Sequence, residues 1–219
     1  GVPFDGATLE LPKGVQLTVD AGTTFRMSRS QIGVGSTTEG IDRSQSSIQV
    51  LGVPGNPVVF TSASSNPQPG DWGGINIRAD IDSADGNRVN AEDYGVFYNH
   101  IQFADIQYGG GPVSVDGRQV DVSPIELAAV RPTIINSEIK NSADAGISAT
   151  PDSFAVTRFD EYRFQRDGLF TPDFHRVGPH VRGNTLTDNT VNGLLFRIQT
   201  PSGGELEKLR TNARLDDTD

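Results

Sequence analysis

The residues of this chain best suited to chemistry fall into two polar clusters and one tryptophan. The first cluster is "ADIDSADGNRVNAEDYG", which gathers Asp80, Asp82, Asp85, Asn87, Glu92 and Asp93 into one excursion. Calcium takes about six to eight oxygen ligands from flexible, turn-rich loops, so Asp80, Asp82, Asp85 and Asn87 form a candidate calcium site. The spacing is not that of an EF-hand, which would need an aspartate where Ala84 stands. A solvated acidic loop is the alternative reading.

The second cluster lies in "DSFAVTRFDEYRFQRDGLFTPDFHRVGPHVR", where Phe154, Phe159, Tyr162, Phe164, Phe170 and Phe174 interleave with Arg158, Arg163, Arg166, His175, Arg176 and His180. Aromatic faces and guanidinium forks stack on sugars and bind carboxylates, which makes Tyr162, Arg163, Arg166 and His175 candidate contacts for a glycan or a protein partner. The same residues can instead build a satellite core, with the arginines pairing Asp160, Glu161, Asp167 and Asp173. Trp72, the only tryptophan, sits in "PGDWGG" and is either a further glycan platform or a packed plug whose indole N–H meets a carbonyl. The plug is the better fit where this segment returns a loop to a coil, with Gly70, Gly73 and Gly74 relieving backbone crowding on both sides.

Catalytic signatures are missing from the sequence. It has no Ser-His-Asp arrangement, no HExxH and no phosphate loop. An acid/base pair for glycoside hydrolysis needs two carboxylates about 5 to 10 Å apart across a cleft, a separation that sequence does not report. The balance is against an enzyme.

Composition bounds the setting. The chain has 219 residues, enough for one domain of ordinary size, and no cysteine, which removes disulfides and thiolate metal sites. A net charge of −10 argues against nucleic acid and anionic membranes as partners. No apolar run approaches the roughly 20 residues that cross a bilayer. The chain opens on "GVPFDG", without a methionine or a signal-like stretch, and so reads as a processed or excised piece.

The elements that must hold these residues are strands. Twenty-five Gly and 13 Pro leave little room for helices. Apolar residues recur instead in period-two triplets: Leu9-x-Leu11, Val15-x-Leu17-x-Val19, Phe25-x-Met27, Ile32-x-Val34, Ile48-x-Val50, Ile75-x-Ile77, Ile101-x-Phe103, Ile125-x-Leu127 and Phe196-x-Ile198. The segments "TIINSEIKNSADAGIS" and "HVRGNTLTDNTVNGLL" share one template, with Ile134, Ile139, Gly146 and Ile147 at the offsets of Val181, Leu186, Gly193 and Leu194. "HIQFADIQYGGGPVSV" fits more loosely through Ile101, Ile106 and Val113. Such a template winds a chain around a polygonal cross-section. Hairpin-type dipeptides occur mainly at Asp85-Gly86, Asp116-Gly117 and Asn192-Gly193, too seldom for a meander. The fold expected is an all-β right-handed parallel β-helix over residues 1–205, with excursions near 78–98 and 152–180 and a linker over 206–219. Asn136, Asn141, Asn184, Asn189 and Asn192 fall at its corners, where their amides can bond the equivalent group one coil away.

With "LELPKGVQLTVDAGTTFRM", "IQVLGVPGNPVVFTS", "GDWGGINI" and "HIQFADIQYGGG" in that order, the chain resembles the right-handed parallel β-helix repeats of very large secreted or surface-attached bacterial proteins. The similarity spans roughly residues 8 to 200, and the segment from Asp152 to Pro179 departs from it. The resemblance implies a fold, an extracellular location and membership of a longer chain, and carries no reaction with it. Similarity of fold to pectin-acting enzymes assigns no activity. The function expected is a structural or adhesive module, calcium-stabilised at the acidic loop, whose partners are neighbouring modules of the same chain and a surface glycan or protein. The alternatives are a calcium-dependent polysaccharide lyase with an arginine base, a glycoside hydrolase, or a glycan-binding module without catalysis. Coils at the two ends of a solenoid expose strand edges, so the isolated piece is expected to associate more readily than a longer one.

Overall fold

The computed structural model describes residues 8–36, 41–79, 92, 95–115, 118–155 and 176–198. Apart from one hairpin, its strands, numbered in chain order, visit three parallel sheets in rotation, as the turns of a right-handed parallel β-helix. Sheet 1 holds β1 (Thr8–Glu10), β4 (Gln31–Val34), β7 (Ile75–Arg78), β12 (Ile125–Ala128), β15 (Ala145–Ala149) and β18 (Val191–Phe196). Sheet 2 holds β2 (Gln16–Asp20), β5 (Ser47–Leu51), β8 (His100–Gln102), β13 (Thr133–Ile135) and β16 (His180–Arg182). Sheet 3 holds β3 (Thr24–Met27), β6 (Val58–Ser62), β9 (Ala104–Gln107), β14 (Glu138–Lys140) and β17 (Thr185–Thr187).

Parallel register stacks like on like, which is why the triplets recur. On sheet 1 Ile32, Ile75, Ile125 and Ile147 follow one another into the interior. Sheet 2 aligns Val50, Ile101, Ile134 and Val181. Sheet 3 aligns Phe25, Phe60, Ile106, Ile139 and Leu186. Each inner isoleucine is fully buried, and such burial contributes on the order of 1.5–3 kcal/mol per side chain. At the ends the apolar residues are less covered: Leu9 is 51% exposed and Phe196 40%.

The looser third repeat requires a correction. Ile101 and Ile106 take their template positions, but Val113 does not enter sheet 1: the strand that follows them there is β12, whose Ile125 lies beside Ile147. Val113 lies in an antiparallel hairpin of β10 (Pro112–Val115) and β11 (Arg118–Asp121) that leaves the coil between sheets 3 and 1. Asp116-Gly117 lies outside the described residues. Asn192-Gly193, by contrast, runs inside β18. Two triplets also end differently from expectation. Phe103 is a corner residue with φ +44°, and Ile198 points out, 65% exposed.

Corners between sheets 2 and 3 are tight, and there the asparagines act on backbone rather than on one another. Asn184 accepts from the Ser137 N–H at 2.9 Å and donates to the Ile134 carbonyl at 2.7 Å, one coil back. Asn189 repeats the pattern at the next corner with Ser142 and Ile139. Asn136 and Asn141 adopt φ of +50° and +55°, the left-handed region that asparagine tolerates better than most residues.

Long excursions leave between sheets 1 and 2, after Arg78 and after Ala149. Their described ends meet in a buried charged cluster. The Glu92 carboxylate accepts from the Arg131 backbone N–H at 2.9 Å and faces its guanidinium at 3.5 Å. Arg176 stacks over the Phe97 ring at 4.0 Å and donates to Thr133 at 3.1 Å. Burial outweighs both arginines and pushes the Glu92 carboxyl up to about 6. A carboxyl raised on folding stabilises most when protonated, so its contribution is full below the ordinary value and is lost as pH rises through about 6. Going from pH 4.5 to 7, urea unfolding should lose about 2 kcal/mol that Glu92→Gln does not lose. Parallel curves for the two proteins would refute the assignment.

Candidate functional site on the outer face of sheet 1

Inner and outer residues alternate along each strand, so the middle residue of every sheet 1 triplet faces outward. Register places Glu10, Gly33, Asn76, Glu126, Ser148 and Leu195 side by side across all six strands. At about 4.8 Å per strand the row runs about 24 Å. Thr8, Gln31 and Arg78 flank it on the same face.

Charges along this face alternate. Glu10 pairs with Arg43 and, at 2.8 Å, with Arg78. Its carboxylate lies flat over Gly33, where a Cβ would stand 2.5 Å from the carboxyl carbon. Further along, Asp144 pairs with Arg197 and accepts from the Ser123 hydroxyl at 2.8 Å. Glu126 lies between these ends. It meets the Ser123 backbone amide, and it feels Arg197 and Arg78 as attraction and Asp144 as repulsion. Desolvation dominates for both members of the middle pair: burial raises the Glu126 carboxyl above its usual range and lowers the Arg78 guanidinium below its own. Ser123 contacts both Glu126 and Asp144, which draws two carboxyl groups around one buried residue.

The side chains of Glu10, Arg43, Arg78, Asp144 and Arg197 stay 17–24% exposed, while other polar atoms of this face, the Nε of Arg78 and Arg197 among them, are shielded from water and unsatisfied. Among the described residues, Gln31 Oε1, Asn76 Oδ1, Glu126 Oε2, Ser148 Oγ, Arg78 Nε and Arg197 Nε have no hydrogen-bond partner. Folded proteins leave few such atoms, because each forgoes a hydrogen bond it had in water. Their concentration on one face of one sheet singles out this surface.

None of these residues was a candidate from sequence. Their signal is the middle letter of the triplets "INI", "IEL" and "ISA", which acquires meaning only once register aligns the strands. The sequence candidates fare differently. Trp72 has no exposed surface; its indole donates to the Gln107 carbonyl at 2.7 Å and its ring stacks on Phe60. It therefore offers a glycan no face. Asp80, Asp82, Asp85 and Asn87, and Tyr162, Arg163, Arg166 and His175, lie outside the described residues. Among the described residues no group of three or more His, Cys, Asp or Glu is arranged to hold a metal ion.

Three stacked parallel sheets traversed in rotation, with a polar row along one outer face, define a parallel β-helix module. The family model of the pectate-lyase-like β-helix domain matches residues 5–115, and the chain belongs to that family. No curated protein and no solved structure matches the chain. Among the described residues no helix is long and apolar enough to cross a membrane.

Proposed function

We propose that this β-helical module is an adhesive, extracellular domain that holds a polysaccharide along the outer face of sheet 1. The observation that carries this reading is the row from Glu10 to Leu195, with the unsatisfied polar atoms of its face, in which each strand brings one outward residue into line with the next. The strand repeat of about 4.8 Å is close to the length of one pyranose unit, so successive sugars can meet equivalent positions on successive coils. Neighbouring modules of a longer chain would continue the same row. Calcium remains part of this proposal through the oxygen-rich sequence around Asp80, Asp82 and Asp85.

Affinity electrophoresis through gels carrying single polysaccharides tests the reading. The domain should be retarded by at least one of them, and Asn76→Ala should migrate freely while melting at the temperature of the parent. Free migration of the parent in every gel would leave a purely structural module. Release of unsaturated, ultraviolet-absorbing sugars would instead assign a lyase.

A further inference from the structure

We infer that the polysaccharide taken by this face is a neutral, hydroxyl-rich one and not a polyanion. The inference rests on the reading of sheet 1 as a glycan-binding surface and adds the chemical class of the ligand.

Charge balance is the first argument. Among the described residues, each guanidinium on the face already faces a carboxylate: Arg43 and Arg78 share Glu10, and Arg197 holds Asp144. Glu126 adds a third carboxyl between them. A polyuronate would have to displace an internal carboxylate from its arginine and then lie beside it, in a chain whose net charge is already −10. Like charges brought together on a partly desolvated surface oppose binding strongly.

Hydrogen-bond polarity is the second argument, and it is independent of charge. Of the unsatisfied atoms, Gln31 Oε1, Asn76 Oδ1 and Glu126 Oε2 are acceptors, and Ser148 Oγ both accepts and donates. Only Arg78 Nε and Arg197 Nε are obligate donors. The face as a whole therefore asks for O–H donors. A sugar hydroxyl supplies one and can accept in return, whereas an ionised carboxylate only accepts. The burial that pushes the Glu126 carboxyl upward is relieved by a donor placed on it. Glu10, Arg43, Arg78 and Arg197 on this face are long, flexible side chains, so a ligand can shift them without moving the strands.

The experiment is isothermal titration of the intact chain with a soluble neutral β-glucan, a neutral mannan and polygalacturonate, each at low and at moderate salt. At least one neutral polymer should bind with an affinity that salt changes little. Asn76→Ala should weaken it roughly tenfold, the loss of one good hydrogen bond. Glu126→Gln, which exchanges an acceptor oxygen for a donor amide, should weaken it as well. Circular dichroism melts identify any variant whose loss reflects misfolding, and Thr8→Ala, at the margin of the face, supplies a second test should Asn76→Ala not fold. Salt-sensitive binding of polygalacturonate alone would overturn the inference and leave the glycan-binding reading intact. No heat with any polymer would overturn both.

Discussion

Replacing Trp72 by Ala is expected to cost on the order of 3–5 kcal/mol of stability, the range for removing a large buried aromatic. The size follows from where the ring sits. Trp72 stacks on Phe60 at a centroid distance of 6.4 Å, and Phe60 stacks on Phe25 of the preceding turn at 4.9 Å, so the three rings form one continuous stack inside the first coils. Truncation would hollow out the end of that stack and orphan the Gln107 carbonyl, which the indole N–H now satisfies at 2.7 Å. The rest of the coil cannot collapse into the gap, because its strands are held at fixed spacing by their neighbours on both sides. Urea unfolding of the parent and Trp72→Ala measures the effect. A loss below about 1 kcal/mol would mean that the ring is a surface feature, contrary to its full burial. As the only tryptophan, it should also give the folded chain a blue-shifted emission that moves red on unfolding.

The second large effect is expected at Gly74. A Cβ there would lie 2.7 Å from the Pro124 carbonyl oxygen and closer still to that of Ser123. These are backbone atoms of the next coil, so no side chain can swing aside, and the Ile75 N–H, which donates to the Pro124 carbonyl at 2.9 Å, would be pushed off its partner. Gly74→Ala should cost about 3 kcal/mol, the upper end for overpacking, because it separates two coils rather than distorting one side chain. It should also disturb the outer face, since Ser123 touches both Glu126 and Asp144. Gly193→Ala is the matched control: nothing lies within 4 Å of its Cβ position, and β18 should accept the methyl group without loss. Thermal melts of the two variants should separate widely. Similar melting temperatures would refute the close approach of β7 to β12 at this point.

The two expectations differ in what they require. The Trp72 plug was legible beforehand: a lone tryptophan among glycines at the return of a loop has few ways to be satisfied, and burial with one N–H bond is the most economical. The Gly74 contact was legible only as crowding, since which backbone oxygen presses on it depends on the stacking of two coils far apart in sequence.

The alternation of Ile75-Asn76-Ile77, and its echoes along the chain, determined by themselves that the strands are short, with one face apolar and the other polar. The shared offsets of Ile134 and Val181, and of Ile139 and Leu186, determined that those turns repeat, because residues that stack in parallel register must match in kind. Neither pattern distinguishes a strand that continues the coil from one that leaves it, and so Val113 in the hairpin passed for a coil position, although β12 is the strand that continues sheet 1. The outer face of sheet 1 was decided by tertiary structure alone. Glu10, Arg78, Glu126 and Arg197 are scattered along the sequence and carry no motif. They become one site because each coil returns its outward residue beside that of the coil before, and because burial then couples charges that water would keep apart in the unfolded chain.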